Sequence, residues 1–274
     1  PATISWYRSL LAVYVEQHGH RLLAAVSTTE MRTYLISLKE RYASPDTLSA
    51  HNRALHRFWG WCVEEYGVSN PMRSIRYPRK PEPKPKAIDA DDVAAMFRSC
   101  GDDPAGVRNR ALLAFLWDTG CRAGGLLGLK TDDVQLYAHR ALVTEKGRRT
   151  RVVVFTEFTA TLLQEWYAIG KPTEWVFYNM DTQAQLTASG LRGILRRIAR
   201  RAHVTGRVNP HSFRHGFARE YLDAGGDMNS LSKLMGHRDV STTLAHYIYF
   251  TAKEVAAKHE LLSPVKKLQN GDKK

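Results

Sequence analysis

The chain has 274 residues, 43% of them hydrophobic, and 40 Lys and Arg against 27 Asp and Glu give a formal net charge of +13. The length leaves room for two domains with cores of their own, the apolar fraction excludes wholesale disorder, and the basic excess points to an acidic partner, either nucleic acid or an anionic membrane surface. No apolar run approaches the roughly 20 residues that span a bilayer and no basic-then-apolar leader opens the chain, so a soluble protein is expected in the cytoplasm and not within a membrane, nucleoid-associated if its acidic partner is DNA.

Residues 3 to 18, 29 to 42 and 46 to 66 read as amphipathic helices, with Trp6, Leu10, Val13 and Tyr14 at helical spacing and Met31, Tyr34, Leu35 and Leu38 repeating it. Ser44-Pro45 is a helix-entry signal. The third helix sets His51, Arg53, His56 and Arg57 on a polar face suited to phosphate contacts, while Leu55, Phe58, Trp59 and Trp61 read as core. Residues 1–77 are therefore expected to form an all-α bundle. From 78 to 87 the chain is rich in proline and lysine, which cannot continue a helix; it reads as an extended linker displaying Arg79, Lys80, Lys84 and Lys86, either a soluble spacer or a strap along a DNA backbone.

Residues 88–274 are expected to form a second, mostly helical domain with a small antiparallel sheet. Asp89 caps a helix from Ala90 to Cys100, and Val107 to Thr119 is so apolar that it must be buried, closing on Gly120 as a left-handed C-cap requires. Ala141 to Thr144 and Arg151 to Phe155 form a strand pair joined by a turn that holds Lys146, Gly147 and Arg148. Helices follow over Thr156 to Ile169 and Ala188 to Ala202, then a short one capped by Asp227 and ended by Gly236, and another beginning at Ser241 or Thr242 that carries Tyr247. Between 189 and 219 the chain has eight arginines and no Asp or Glu, with Arg192, Arg196 and Arg200 opposite Leu191, Ile194, Leu195 and Ile198. Cys62, Cys100 and Cys121 lack metal-ligand spacing and cannot all pair, so buried thiols in a reducing compartment are expected.

Four stretches carry the functional signal. Asn209-Pro210-His211-Ser212-Phe213-Arg214 starts a helix with His211 and Arg214 one turn apart on one face. Asp118-Thr119-Gly120-Cys121-Arg122 ends a helix on a glycine before an arginine. Glu145-Lys146-Gly147-Arg148 is a basic hairpin tip, and Gly236-His237 is followed ten residues later by Tyr247. In chain order they give Arg, Lys, His-x-x-Arg, His, Tyr. That order and these contexts resemble the tyrosine recombinase (integrase) family over most of residues 88 to 263. The resemblance implies a core-binding helical bundle joined to a recombinase catalytic domain, a duplex DNA partner with specific recombination sites, a covalent 3′-phosphotyrosine intermediate and four protomers on two duplexes. One position departs from the pattern: Gly125 stands where the family often has an acidic residue, which questions the local support of Arg122 but not its charge.

The residue types suit that chemistry. Arg122 and Arg214 can clamp the extra negative charge of a five-coordinate phosphate, since each stays ionised and presents a planar fork of donors. Tyr247 is the nucleophile, His211 the candidate base, His237 a phosphate donor or proton relay, and Lys146 the acid that protonates the leaving 5′-oxygen. No metal ion or other cofactor is expected, because the charge work falls to side chains. Arg53, Arg57, Arg79, Lys80, Lys84, Lys86, Arg148, Arg192, Arg196 and Arg200 are the candidate DNA contacts. The alternatives are a type IB topoisomerase-like enzyme, which rejoins the same duplex, and a DNA-binding accessory protein without catalysis.

Overall fold

The computed structural model describes residues 2–76, 87–145, 149–170 and 173–236, and the chain divides into two compact units, Pro1–Lys84 and Pro85–Lys274. Among the described residues no helix is long and apolar enough to cross a membrane.

The first unit holds α1 (Ala2–His18), α2 (Thr28–Arg41) and α3 (Pro45–Tyr66). A reciprocal cap starts α2: Ser27 Oγ accepts from the Glu30 amide at 3.2 Å while Glu30 Oε2 accepts from the Ser27 amide at 2.7 Å. Gly67, at φ 63°, ends α3 in the left-handed conformation that costs other residues a Cβ clash. Met31, Tyr34, Leu38, Leu55, Trp59 and Cys62 pack with Tyr14 as the core. Two sequence expectations fail here. Trp61 is 45% exposed and so is not core, and His51, expected on the polar face, is buried with its ring stacked on Tyr42 at 5.1 Å. Burial holds the His51 imidazole pKa below its ordinary value, so the ring is a neutral packing element instead of a phosphate contact.

The second unit holds α4 (Ala90–Arg98), α5 (Pro104–Thr119), α6 (Ala123–Leu127), the strands β1 (Val134–Gln135), β2 (Arg140–Glu145) and β3 (Arg149–Val154), then α7 (Glu157–Ile169), α8 (Ala188–Arg201), α9 (Pro210–Asp223) and α10 (Met228–Met235). The sheet is antiparallel in the order β1-β2-β3, with Val143 opposite Arg151 and Glu145 opposite Arg149. The expected mostly helical architecture with a small antiparallel sheet is what the chain forms. α5 is its spine: Leu112, Leu113, Phe115 and Leu116 are fully buried, and a helix buried on nearly every face needs neighbours on every side. It starts at Pro104, three residues before the expected Val107, because Asp103 caps it by accepting from the Gly106 amide at 2.9 Å.

Neighbouring helices are fixed to the C-terminal end of α5 by specific contacts. Asp118 Oδ2 accepts from the Thr156 amide at 2.6 Å, from Thr156 Oγ1 at 2.8 Å and from Thr159 Oγ1 at 2.7 Å, tying α5 to the start of α7. Trp117 meets Phe213 of α9 edge-on at 6.2 Å, and a Cβ at Gly216 would stand 2.5 Å from the Trp117 ring, so glycine there is a condition of the close α5–α9 contact. Asp89 precedes α4 as expected, but its side chain makes no cap; its Oδ1 accepts from Arg219 Nη1 at 3.3 Å. Cys62, Cys100 and Cys121 are free and buried.

Candidate active site

Local sequence places Arg122, His211 and Arg214 at helix starts. Asn209 Oδ1 accepts from the amides of His211 and Ser212 at 2.9 and 3.0 Å, and Ser212 Oγ accepts from the Asn209 amide at 3.0 Å. This reciprocal cap and Pro210 at the first helical position start α9 where the sequence predicts. Arg214 then falls one turn in and is 3% exposed, while His211 is exposed, so α9 turns its arginine inward and its histidine out. The His211 imidazole has a neighbour the sequence reading missed: His215 Nε2 lies 3.1 Å from His211 Nε2. At that spacing one ring nitrogen donates and the other accepts. The i, i+4 interval of the two histidines was the available signal.

Arg214 Nη1 donates to the Gly120 carbonyl at 2.7 Å and Nη2 to the Met235 carbonyl at 2.6 Å. Gly120, at φ 54°, is the left-handed cap of α5, so the arginine is held by the turn that leads to Arg122. Arg122 precedes α6 and pairs through Nη1 with Glu145 Oε2 at the end of β2. Glu145 Oε1 accepts from Arg151 Nε at 3.2 Å, and Arg151 Nη1 donates to the Leu234 carbonyl at 2.7 Å. The contacts close a ring: Arg214 to the α5 cap, Arg122 beyond that cap to Glu145, Glu145 to Arg151, Arg151 to Leu234, and Met235 back to Arg214. Two of the predicted site residues, Arg122 and Arg214, are thereby joined through three stretches far apart in sequence: the α5–α6 turn, the β2–β3 pair and the α9–α10 pair.

Glu145 and Arg151 were not singled out in the sequence. Strand alternation was the signal, since Ala141 and Val143 are buried and Glu145 follows on the same face. Gly125 sits buried in α6 with its amide on the Arg122 carbonyl at 2.9 Å, and the carboxylate beside Arg122 comes from β2.

Lys146, His237 and Tyr247 lie outside the described residues, as do Arg79, Lys80, Lys84, Lys86 and Arg148. Of the other candidate DNA contacts, Arg53 and Arg57 are exposed on α3, and Arg192, Arg196 and Arg200 form an exposed stripe on α8 opposite its buried apolar face.

Residues 86–254 match the model of the phage integrase family, which is more than half of the chain. The chain belongs to the phage integrase family. It is a tyrosine recombinase, an enzyme of the class that cleaves and rejoins DNA strands. A tyrosine recombinase XerC of Oceanobacillus iheyensis is 30% identical to it over 257 residues, covering 89% of this chain and 84% of that protein. Among solved structures, the XerH site-specific recombinase bound to palindromic difH substrate is similar with a TM-score of 0.78 at 19% identity, over 94% of this chain and 79% of that one. The Tn1549 transposon integrase in complex with transposon right end DNA is similar at a TM-score of 0.77 and 19% identity, over 96% and 94% of the two chains. At such identities the structural likeness speaks to fold.

Proposed function

We propose that this integrase-family chain acts on duplex DNA at specific recombination sites, with Arg122 and Arg214 clamping the scissile phosphate, Tyr247 attacking it, and Lys146 protonating the leaving 5′-oxygen. His211 takes the proton of Tyr247, and His237 donates to the phosphate. The observation that carries the proposal is the ring of contacts that joins two sequence-distant arginines at the cap of α5. Guanidiniums fixed before the reaction stabilise developing phosphate charge without reorganising, and each such donor contributes about 3 to 4 kcal/mol in comparable oxyanion sites. The names of the similar proteins, site-specific recombinases and a transposon integrase, support a DNA partner. Four protomers on two duplexes complete the reading, because exchange between duplexes needs two sites held together.

The test is to trap and sequence the DNA covalently attached to the protein in cells, then to supply that site as a nicked duplex in excess chelator. A tyrosine-linked 3′ adduct and exchange between two labelled duplexes are expected. Relaxation of one circle without exchange would favour the topoisomerase-like alternative, a strict need for magnesium in cleavage would count against side-chain chemistry, and a synaptic complex of fewer than four protomers would remove the tetramer.

The α8 stripe gives a second expectation. Replacing Arg192, Arg196 and Arg200 together with Gln should weaken binding and flatten the plot of log K against log salt by about 2 to 3, since each neutralised phosphate contributes roughly 0.9 to the slope. Titrations at several salt concentrations measure this. An unchanged slope would take the stripe off the phosphate backbone.

A further inference from the structure

An arginine can stabilise a transition state only to the extent that its guanidinium is already in place, and a long side chain that is free to rotate loses much of that benefit. Arg214 is held by two carbonyls in the interior. Arg122 is in a different position: its side chain is 41% exposed and it precedes a helix of five residues. No side chain from α6 is available at Gly125, and a Cβ there would stand 3.3 Å from Val143 Cβ, so β2 occupies the space into which such a side chain would grow. The same strand face supplies the carboxylate. Val143 is buried, Glu145 follows two residues on with a side chain only 10% exposed, and its two oxygens go to two arginines, Oε2 to Arg122 and Oε1 to Arg151. Arg151 is itself fixed, 15% exposed and anchored on the Leu234 carbonyl.

We infer that Glu145 is a positioning residue of the recombination reaction: it holds the Arg122 guanidinium in the orientation that the phosphate requires, and it does so from the base of the hairpin whose next residue is Lys146. The inference rests on the reading of Arg122 as a phosphate clamp. In this role Glu145 acts through Arg122 and not on the reacting atoms. Its carboxylate fixes Arg122 in direction and separates two like charges, Arg122 and Arg151, that would otherwise repel across the same gap. Removing it releases the exposed arginine, whereas Glu145→Gln keeps the shape and one acceptor but loses the charge that binds both partners.

The experiment uses the full-length protein and the duplex recovered with it as covalent adduct. Single-turnover cleavage and DNA affinity are measured for wild type, Glu145→Gln, Glu145→Ala, Arg122→Ala and the Arg122→Ala/Glu145→Ala pair. The expected result is a loss of cleavage of about 10- to 100-fold for Glu145→Ala, of the size seen when a partner that orients a functional side chain is removed, and a smaller loss for Glu145→Gln. DNA affinity should stay within about threefold, and Glu145→Ala should add nothing in the Arg122→Ala background, because a residue acting through Arg122 has nothing left to act on. A merely structural role would add its loss in both backgrounds and so overturns the inference, as does a Glu145→Ala protein that cleaves within twofold of wild type. A substrate with a 5′-bridging sulfur, whose leaving group needs no proton, separates the neighbouring lysine: rescue of Glu145→Ala by that substrate would mean that Glu145 serves Lys146 and not Arg122. Wild type that forms no adduct on this DNA would instead refute the proposed function.

Discussion

Tyr247→Phe is expected to bind DNA as the parent chain does and to form no covalent adduct, a fall of about a thousandfold or more, as removal of a covalent nucleophile produces. The phenol oxygen is the atom that would bond to phosphorus, and phenylalanine keeps the ring without it. The same segment offers Tyr249, two residues on. On a helix these positions point about 200° apart, so only one of them can face a given phosphate. Tyr247 stands ten residues after His237, and Tyr249 lies between apolar Ile248 and Phe250 as a packing residue would. Tyr249→Phe should therefore still form the adduct. Recovering the DNA-linked peptide by mass spectrometry decides the matter, and a modification on Tyr249 would overturn the assignment while leaving the enzyme class untouched.

Arg122→Ala and Arg214→Ala should each lower single-turnover cleavage by a factor of about 100 to 1000, the effect of losing one preorganised donor to developing charge. Their effects on stability should diverge. Arg214 is 3% exposed and bridges the Gly120 and Met235 carbonyls, so its removal leaves two acceptors in the interior without that donor and should cost about 2 to 4 kcal/mol of folding free energy. Arg122 is half-exposed, and the screened loss of its pair with Glu145 should change stability little. Thermal unfolding alongside cleavage and DNA affinity separates the two outcomes. Arg214→Lys is informative as well, since a single ammonium cannot reproduce a fork that spans two carbonyls and should rescue little of either property. An Arg214→Ala protein that cleaves normally would remove that arginine from the clamp.

Much of this arrangement could be read before the structure. Helical period marked α2 and α8, and the ends of α3, α5 and α9 were marked as well, because Ser44-Pro45, Gly120 and Asn209-Pro210 act through local backbone chemistry that sequence spells out. α6 and β1 were not legible: five residues around a Gly-Gly pair and a two-residue strand hold too little pattern, and both lie against β2, a tertiary contact that local sequence does not report. His51 looked polar by position along α3, yet packing against Tyr42 buries it, a tertiary effect no period reports. Arg122 and Arg214 stood out by their surroundings. Glu145 did not, since a charged residue beside Lys146-Gly147 reads as a turn charge unless the strand is counted inward from Ala141. The roles proposed for Lys146, His237 and Tyr247 rest on sequence order, as these positions lie outside the described residues.

Three of the acceptors in the ring around the arginines are main-chain carbonyls, those of Gly120, Leu234 and Met235, and two of these are at the C-terminal end of α10. A carbonyl is present whatever side chain its residue carries. Substitutions at Leu234 or Met235 that preserve the helix therefore leave the grip on Arg151 and Arg214 in place, and drift in the identity of these residues is buffered. Length is not buffered in the same way. One residue inserted or deleted between Met228 and Gly236 turns the terminal carbonyls by about 100° and moves them by about 1.5 Å along the axis, enough to withdraw both acceptors together. The short helix α10 thus works as a gauge block: what it contributes to the site is its number of residues.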